Sequence, residues 1–175
     1  HMACLLNNRI AAIGAMAGTM ATSDISSCVP AYKTPVIHLH GDADGTVPYA
    51  GTALPSLSLV AQTIDFWKGV HGCANTYDSI RLPDNAPADN ITVDRFVYNT
   101  CDLSGSLELW RLNNADHQFL YEPVNDITES KEVWRFFLRF QHSNPATAGT
   151  TELEAAVFNV YPNPAQSKII IQLSS

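Results

Sequence analysis

The chain has 175 residues, 46% of them hydrophobic and only 15% charged, so it can bury a core and lacks the composition of a disordered chain. Its formal net charge of −7 disfavours nucleic acid or an anionic membrane as the main partner, since both need a basic patch. No run reaches the ~20 apolar residues of a membrane span, and the opening residues His1-Met2-Ala3-Cys4 lack the basic-then-apolar pattern of a signal peptide.

Ala3 to Leu6 reads as the last turn of a helix, ended by Asn7-Asn8. Ile10 to Ala17 is small and apolar on both faces, as in a buried parallel strand. Gly18 to Thr34 is rich in Ser, Thr and Pro and reads as a loop. Pro35 to His40 is a second buried strand, and Gly41 to Gly51 is a glycine-rich loop. From Ser58 to Val70, apolar residues at Leu59, Val60, Ile64, Trp67 and Val70 fall near helical spacing. Ile91 to Tyr98 and Leu107 to Leu112 alternate like strands. Asp126 to Gln141 reads as an amphipathic helix whose apolar side holds Val133, Trp134, Phe137, Leu138 and Phe140. Ser143 to Thr151 has linker composition, and Val157 to Leu173 turns β-like again. Strands alternating with helices predict an α/β domain over residues 1–142, with a mostly parallel sheet flanked by helices. A linker over 143–156 and a separate segment over 157–175 follow.

The four cysteines Cys4, Cys28, Cys73 and Cys101 show no Cys-x-x-Cys spacing, so a zinc or thioredoxin-type motif is lacking. Their even number suits an oxidising compartment, and Cys73 and Cys101 flank a polar excursion suited to a disulfide. Partners for Cys4 and Cys28 stay open.

The chemistry concentrates in His38-Leu39-His40-Gly41-Asp42-Ala43-Asp44-Gly45-Thr46-Val47-Pro48-Tyr49. Sites in open α/β sheets lie beyond the carboxyl ends of strands. A carboxylate there can orient a histidine on a neighbouring loop and stabilise the imidazolium formed in catalysis. His117, in the loop Asn113 to Phe119 after the last strand of the domain, is the candidate partner of Asp44. The order Asp44 then His117 is that of α/β-hydrolase triads, where serine comes first. Asp42 reads as a loop-shaping residue, His40 as structural, and Trp67, Trp134 and Phe137 as core.

On these residues the chain resembles the polyhydroxybutyrate-depolymerase-like and feruloyl-esterase-like branch of the α/β-hydrolases. Ile10 to Met20 looks like the strand after that family's nucleophile helix. His40-Gly41-x-x-Asp44-x-x-Val47-Pro48-Tyr49 looks like its acid loop; Phe66-Trp67, Gly72-Cys73, Tyr98 and Cys101 also match. Asp116-His117 stands where the family has a glycine-rich approach to the base, and Gln118-Phe119 where a Thr-Trp pair is common. The resemblance covers about residues 3 to 141. It implies a carboxylic ester hydrolase with Asp44 as acid and His117 as base, acting on an ester substrate and needing no cofactor or metal. The family's Gly-x-Ser-x-Gly elbow has no counterpart in the chain, so the nucleophile and the oxyanion hole are expected upstream, in an N-terminally truncated fold.

Val160-Tyr161-Pro162-Asn163-Pro164-Ala165 followed by Ile169-Ile170-Ile171 resembles the start of the C-terminal sorting domain of bacterial type IX secretion, which implies a secreted or cell-surface protein.

Three alternatives stand beside this reading. His38-x-His40-x-Asp42 is similar to part of a metallo-hydrolase zinc motif, with Ala43 where a further histidine would stand. Asp42-x-Asp44-Gly45 could open a calcium loop, but its twelfth position is Ala53 rather than glutamate. A chain lacking the serine could also be a catalytically inert fragment that forms a homo-oligomer through an exposed strand at residues 10–17. Ser23, Ser26 and Ser27 lack the elbow geometry of substitute nucleophiles.

Overall fold

The computed structural model describes residues 1–50, 55–102 and 105–141, together with the backbone of 158–161 and 170–173. The chain divides into two compact units, His1–Asn144 and Pro145–Ser175. The predicted linker lies outside the described residues. In the second unit, β6 (Phe158–Tyr161) pairs antiparallel with β7 (Ile170–Leu173), which fits the β-like pattern of that stretch.

The first unit is α/β. Its strands are β1 (Ile13–Met16), β2 (Val36–Gly41), β3 (Asp78–Arg81), β4 (Thr92–Tyr98) and β5 (Leu107–Asn113), forming one sheet in the order β1-β2-β5-β4-β3. The helices are α1 (Met2–Leu5), α2 (Thr22–Ser27), α3 (Val60–His71) and α4 (Glu129–Phe137). Among the described residues, no helix is long and apolar enough to cross a membrane.

The sheet is mixed rather than mostly parallel. β1, β2 and β5 run parallel, while β4 pairs antiparallel with both β5 and β3. The connection over residues 99–106 explains this, because a parallel crossover needs about a dozen residues or more. β3 was not foreseen. Its residues Asp78-Ser79-Ile80-Arg81 are all exposed and carry no apolar alternation. It is held instead by ladder pairing with β4 and by Arg81, which pairs with Asp94.

β2 is buried along its whole length, so its two faces serve two cores. Ile37 and Leu39 join Val93, Trp110, Leu112, Val133 and Phe136 under α4. Val36 joins Leu107, Leu109, Val60, Ile64 and Trp67 under α3. The period of two therefore turns His38 and His40 toward the α3 face. β5 is likewise apolar on both faces, which is why Leu112 falls out of step with Leu107 and Leu109.

α3 ends as its residues dictate. Gly72 adopts the left-handed conformation (φ 64°), and a Cβ there would collide with the Asp102 carboxylate at 2.3 Å. The adjoining Cys73 forms the expected disulfide with Cys101. Cys4 pairs with Cys28, tying α1 to the end of α2. α2 lies in the stretch read as loop.

α4 is shorter than the predicted helix, and its buried stripe is Glu129, Val133 and Phe136. Trp134, expected in the core, is 62% exposed, and Leu138 is exposed as well. One step past Val133 turns a side chain by about 100° and takes it off the buried stripe. Phe137 and Phe140 are only partly buried against the core. After Phe137 the chain tightens into i→i+3 hydrogen bonds, and Arg139 reaches back to the sheet.

Its target is Glu108, buried on the α4 face of β5. The carboxylate accepts two hydrogen bonds from Arg95 (2.8 and 2.9 Å), one from Arg139 (2.6 Å) and one from the Trp110 indole (2.9 Å). Burial alone would raise its pKa; these donors, led by Arg95, hold it below the ordinary value.

Candidate functional site

β2 and β5 are parallel neighbours, so the loops after them emerge side by side at one end of the sheet. They are closely joined. The Asp42 amide donates to Leu112 O (3.1 Å), Ala43 to Ala115 O (3.1 Å), and the Asn114 amide to Asp42 Oδ1 (2.7 Å). Asn114 is left-handed (φ 65°), a conformation asparagine tolerates, and its side-chain amide donates to Asn90 O. Asp42 thus shapes the loop.

Gly41 makes this apposition possible. A Cβ at that position would lie 2.2 Å from Ala115 O and 2.8 Å from its carbonyl carbon. Both are backbone atoms, with little freedom to retreat. Gly41→Ala is expected to cost about 1–3 kcal/mol, because the two loops must separate. Urea unfolding measures this; a loss under about 0.5 kcal/mol would show that the loops move apart freely.

Across this junction the structure brings Asp44 and His117 together. Asp44 Oδ1 accepts the amides of Thr46 (2.8 Å) and Val47 (2.7 Å), which fixes the carboxylate plane. Asp44 Oδ2 lies 2.9 Å from His117 Nδ1. Burial opposes the charge on Asp44, but the hydrogen bonds from Val47, His117 and Thr46 prevail and lower its pKa. The ionised carboxylate can only accept, so Nδ1 carries a proton, and in the neutral ring Nε2 keeps its lone pair. Nε2 makes no hydrogen bond among the described residues, and the His117 side chain is 42% exposed while that of Asp44 is fully buried.

Asp116 bridges the two loops. Its Oδ1 accepts the amides of Gly45 (2.9 Å) and His117 (2.7 Å), and these amides lower its pKa. Sequence reasoning gave Asp116 no such part; its position next to the histidine was the available signal, since Asp side chains commonly bind nearby amides.

The residues of the zinc-type motif are not arranged as a ligand set. His38 Nε2 lies 3.1 Å from His40 Nδ1, with the two rings parallel, while Asp42 turns to the Asn114 amide. Among the described residues, no group of three or more His, Cys, Asp or Glu side chains could hold a metal ion. Asp42 and Asp44 are likewise spent on backbone amides.

The arrangement can hold a neutral imidazole in one tautomer, stabilise its protonated form, and offer Nε2 to a proton donor. The chain matches no family model, and no curated protein matches it significantly.

Proposed function

We propose that this chain supplies the acid, Asp44, and the base, His117, of a serine esterase with an α/β-hydrolase fold. The observation that carries the reading is the Asp44–His117 hydrogen bond between loops of adjacent parallel strands, with Nε2 left open. In this reading Nε2 takes the proton of a serine hydroxyl as its Oγ bonds to the ester carbonyl carbon. The same proton then goes to the departing alcohol, and a water repeats the sequence on the acyl-enzyme. Asp44 holds the ring in place and balances the imidazolium. Neither a metal nor a cofactor is required.

The serine belongs, in this reading, to a segment beyond these 175 residues. The substrate class is carboxylic esters: hydroxyalkanoate polyesters, feruloyl esters of plant polysaccharide, or short-chain esters. The two disulfides support an oxidising location, in keeping with a secreted or cell-surface protein. The test is hydrolysis of p-nitrophenyl butyrate by the chain alone and joined to the serine-bearing segment. In the joined form His117→Ala is expected to lose at least ~10³-fold in kcat; equal rates for the two proteins defeat the reading. Activity removed by a chelator and restored by zinc would instead favour the metal-dependent alternative.

A second reading rests on β1. It is an edge strand, and Ile13, Ala15 and Met16 are only half-buried. An unpaired apolar edge pairs readily with another chain. A homodimer through residues 10–17 would then form, and light scattering is expected to give twice the chain mass; a monomer at micromolar concentration rules this out.

A further inference from the structure

We propose that His40 is a positioning residue for Asp44, locked by His38 in the tautomer that lets it brace the Asp44 loop. The inference rests on the reading of Asp44 and His117 given above, and it assigns a role to a side chain first read as merely structural.

His40 Nε2 lies 2.8 Å from Val47 O and 3.3 Å from Asp44 Oδ2. Both neighbours are acceptors, so Nε2 must carry a hydrogen. Val47 is also the residue whose amide donates to Asp44 Oδ1. One N–H therefore grips the loop through a carbonyl and borders the same carboxylate oxygen that faces His117. The ring of His40 is fully buried and meets Tyr49 edge-on, so its orientation is set on every side.

The tautomer has its own guarantor. With Nε2 protonated and the ring neutral, His40 Nδ1 is an acceptor, and the partner 3.1 Å away is His38 Nε2. His38 must then donate from Nε2. A directed chain results: His38 Nε2–H to His40 Nδ1, and His40 Nε2–H to Val47 O and the edge of Asp44. Burial lowers the pKa of both rings, to about 3 in His38, which keeps the chain neutral. The 3.3 Å approach of His40 to Asp44 is thus a dipole against a carboxylate, leaving His117 as the ring that balances the Asp44 charge. Alternation along β2 supplies the geometry, since His38 and His40 share one face of a strand whose next loop carries Asp44.

The experiment is imidazole NMR on the 175-residue chain with nitrogen-15 histidine. In the wild type, His38 and His40 are expected to show the Nε2–H tautomer, and His117 a downfield Nδ1–H resonance from its bond to Asp44. His40→Ala is expected to abolish that resonance, and His40→Gln, whose amide nitrogen reaches the Nε2 position, to restore it. A resonance unchanged in His40→Ala overturns the proposal. So does a wild-type His40 protonated on Nδ1, an outcome readable even if the alanine variant fails to fold. None of these readouts needs turnover. Absence of hydrolysis in the form joined to the serine-bearing segment, with the wild-type signature present, defeats the esterase reading and leaves the positioning role standing.

Discussion

Under the proposed esterase function, Asp44→Asn is expected to lower kcat for ester hydrolysis on the order of 10⁴-fold while leaving the fold intact. The size of the effect follows from how the carboxylate is held. Its Oδ1 is committed to the amides of Thr46 and Val47, which donate and demand an acceptor. An asparagine must keep its carbonyl oxygen there, so its NH₂ group takes the place of Oδ2, 2.9 Å from His117 Nδ1. Two donors cannot face each other. His117 must surrender the Nδ1 proton and carry it on Nε2, where it cannot accept one from a serine. The carboxylate that balanced the imidazolium is lost as well. The check is steady-state kinetics on a p-nitrophenyl ester, using the form of the protein that carries the serine. A loss of less than about 10-fold would remove Asp44 from the acid role.

Between about pH 7 and about pH 5, the first unit is expected to lose on the order of 4 kcal/mol of stability. The cause is two buried neutral histidines. Burial, reinforced by His40, holds His38 down to about 3. Burial and nearby Lys33 hold His71 down to about 4, against a raising contribution from its bond to Thr34 O. In the unfolded chain both titrate near their ordinary value of ~6.5. Below that value the unfolded state takes up protons that the folded state refuses, so stability falls as pH falls. The loss continues until the folded pKa values are reached, and each ring contributes roughly 2 kcal/mol by about pH 5. His40, lowered for the same reason, acts in the same direction.

A loss of that size is a large part of an ordinary domain's 5–15 kcal/mol. Urea unfolding at several pH values, with the disulfides intact, measures it. His71→Gln removes one titrating ring and is expected to cut the slope between pH 5 and 7 by about a third to a half, whatever it does to stability at neutral pH. A flat profile in the wild type would mean that these rings are not held neutral. The carboxylates act lower on the scale. Burial opposes ionisation of Asp94, but hydrogen bonds from Arg81, Arg111 and Asn113 bring it to about 2. Its stabilising contribution is present above its ordinary value of ~4 and is lost as pH falls toward 2.

Much of the site is legible in the sequence, because its signals are local. A run apolar on both faces, a glycine, then Asp44, Val47 and Pro48 marks a buried strand running into a shaped loop. The same punctuation after Leu112 marks the loop of His117. Trp67 was legible as core because the helical pattern around it is regular. Trp134 was misplaced because Glu129 lies on the buried stripe of α4, and hydrophobicity alone ranks a tryptophan above a glutamate. Glu129 is tolerated there because its Oε1 accepts the Leu120 amide at 2.9 Å.

The residue order by itself determined an α/β unit, the strand-end placement of Asp44 and His117, and the alternation that puts His38 and His40 on one face. These depend on neighbours within a few positions. Only the tertiary structure decided that β2 and β5 are adjacent, and with it the 2.9 Å bond between residues 73 positions apart. It alone decided the reversed direction of β4, the Cys4–Cys28 pairing, the Asp116 bridge, and the cations that keep Glu108 charged inside the core. Each is a contact between segments distant in the chain. Such contacts are chosen by competition among all the surfaces the chain can bury, a choice no local window of sequence contains.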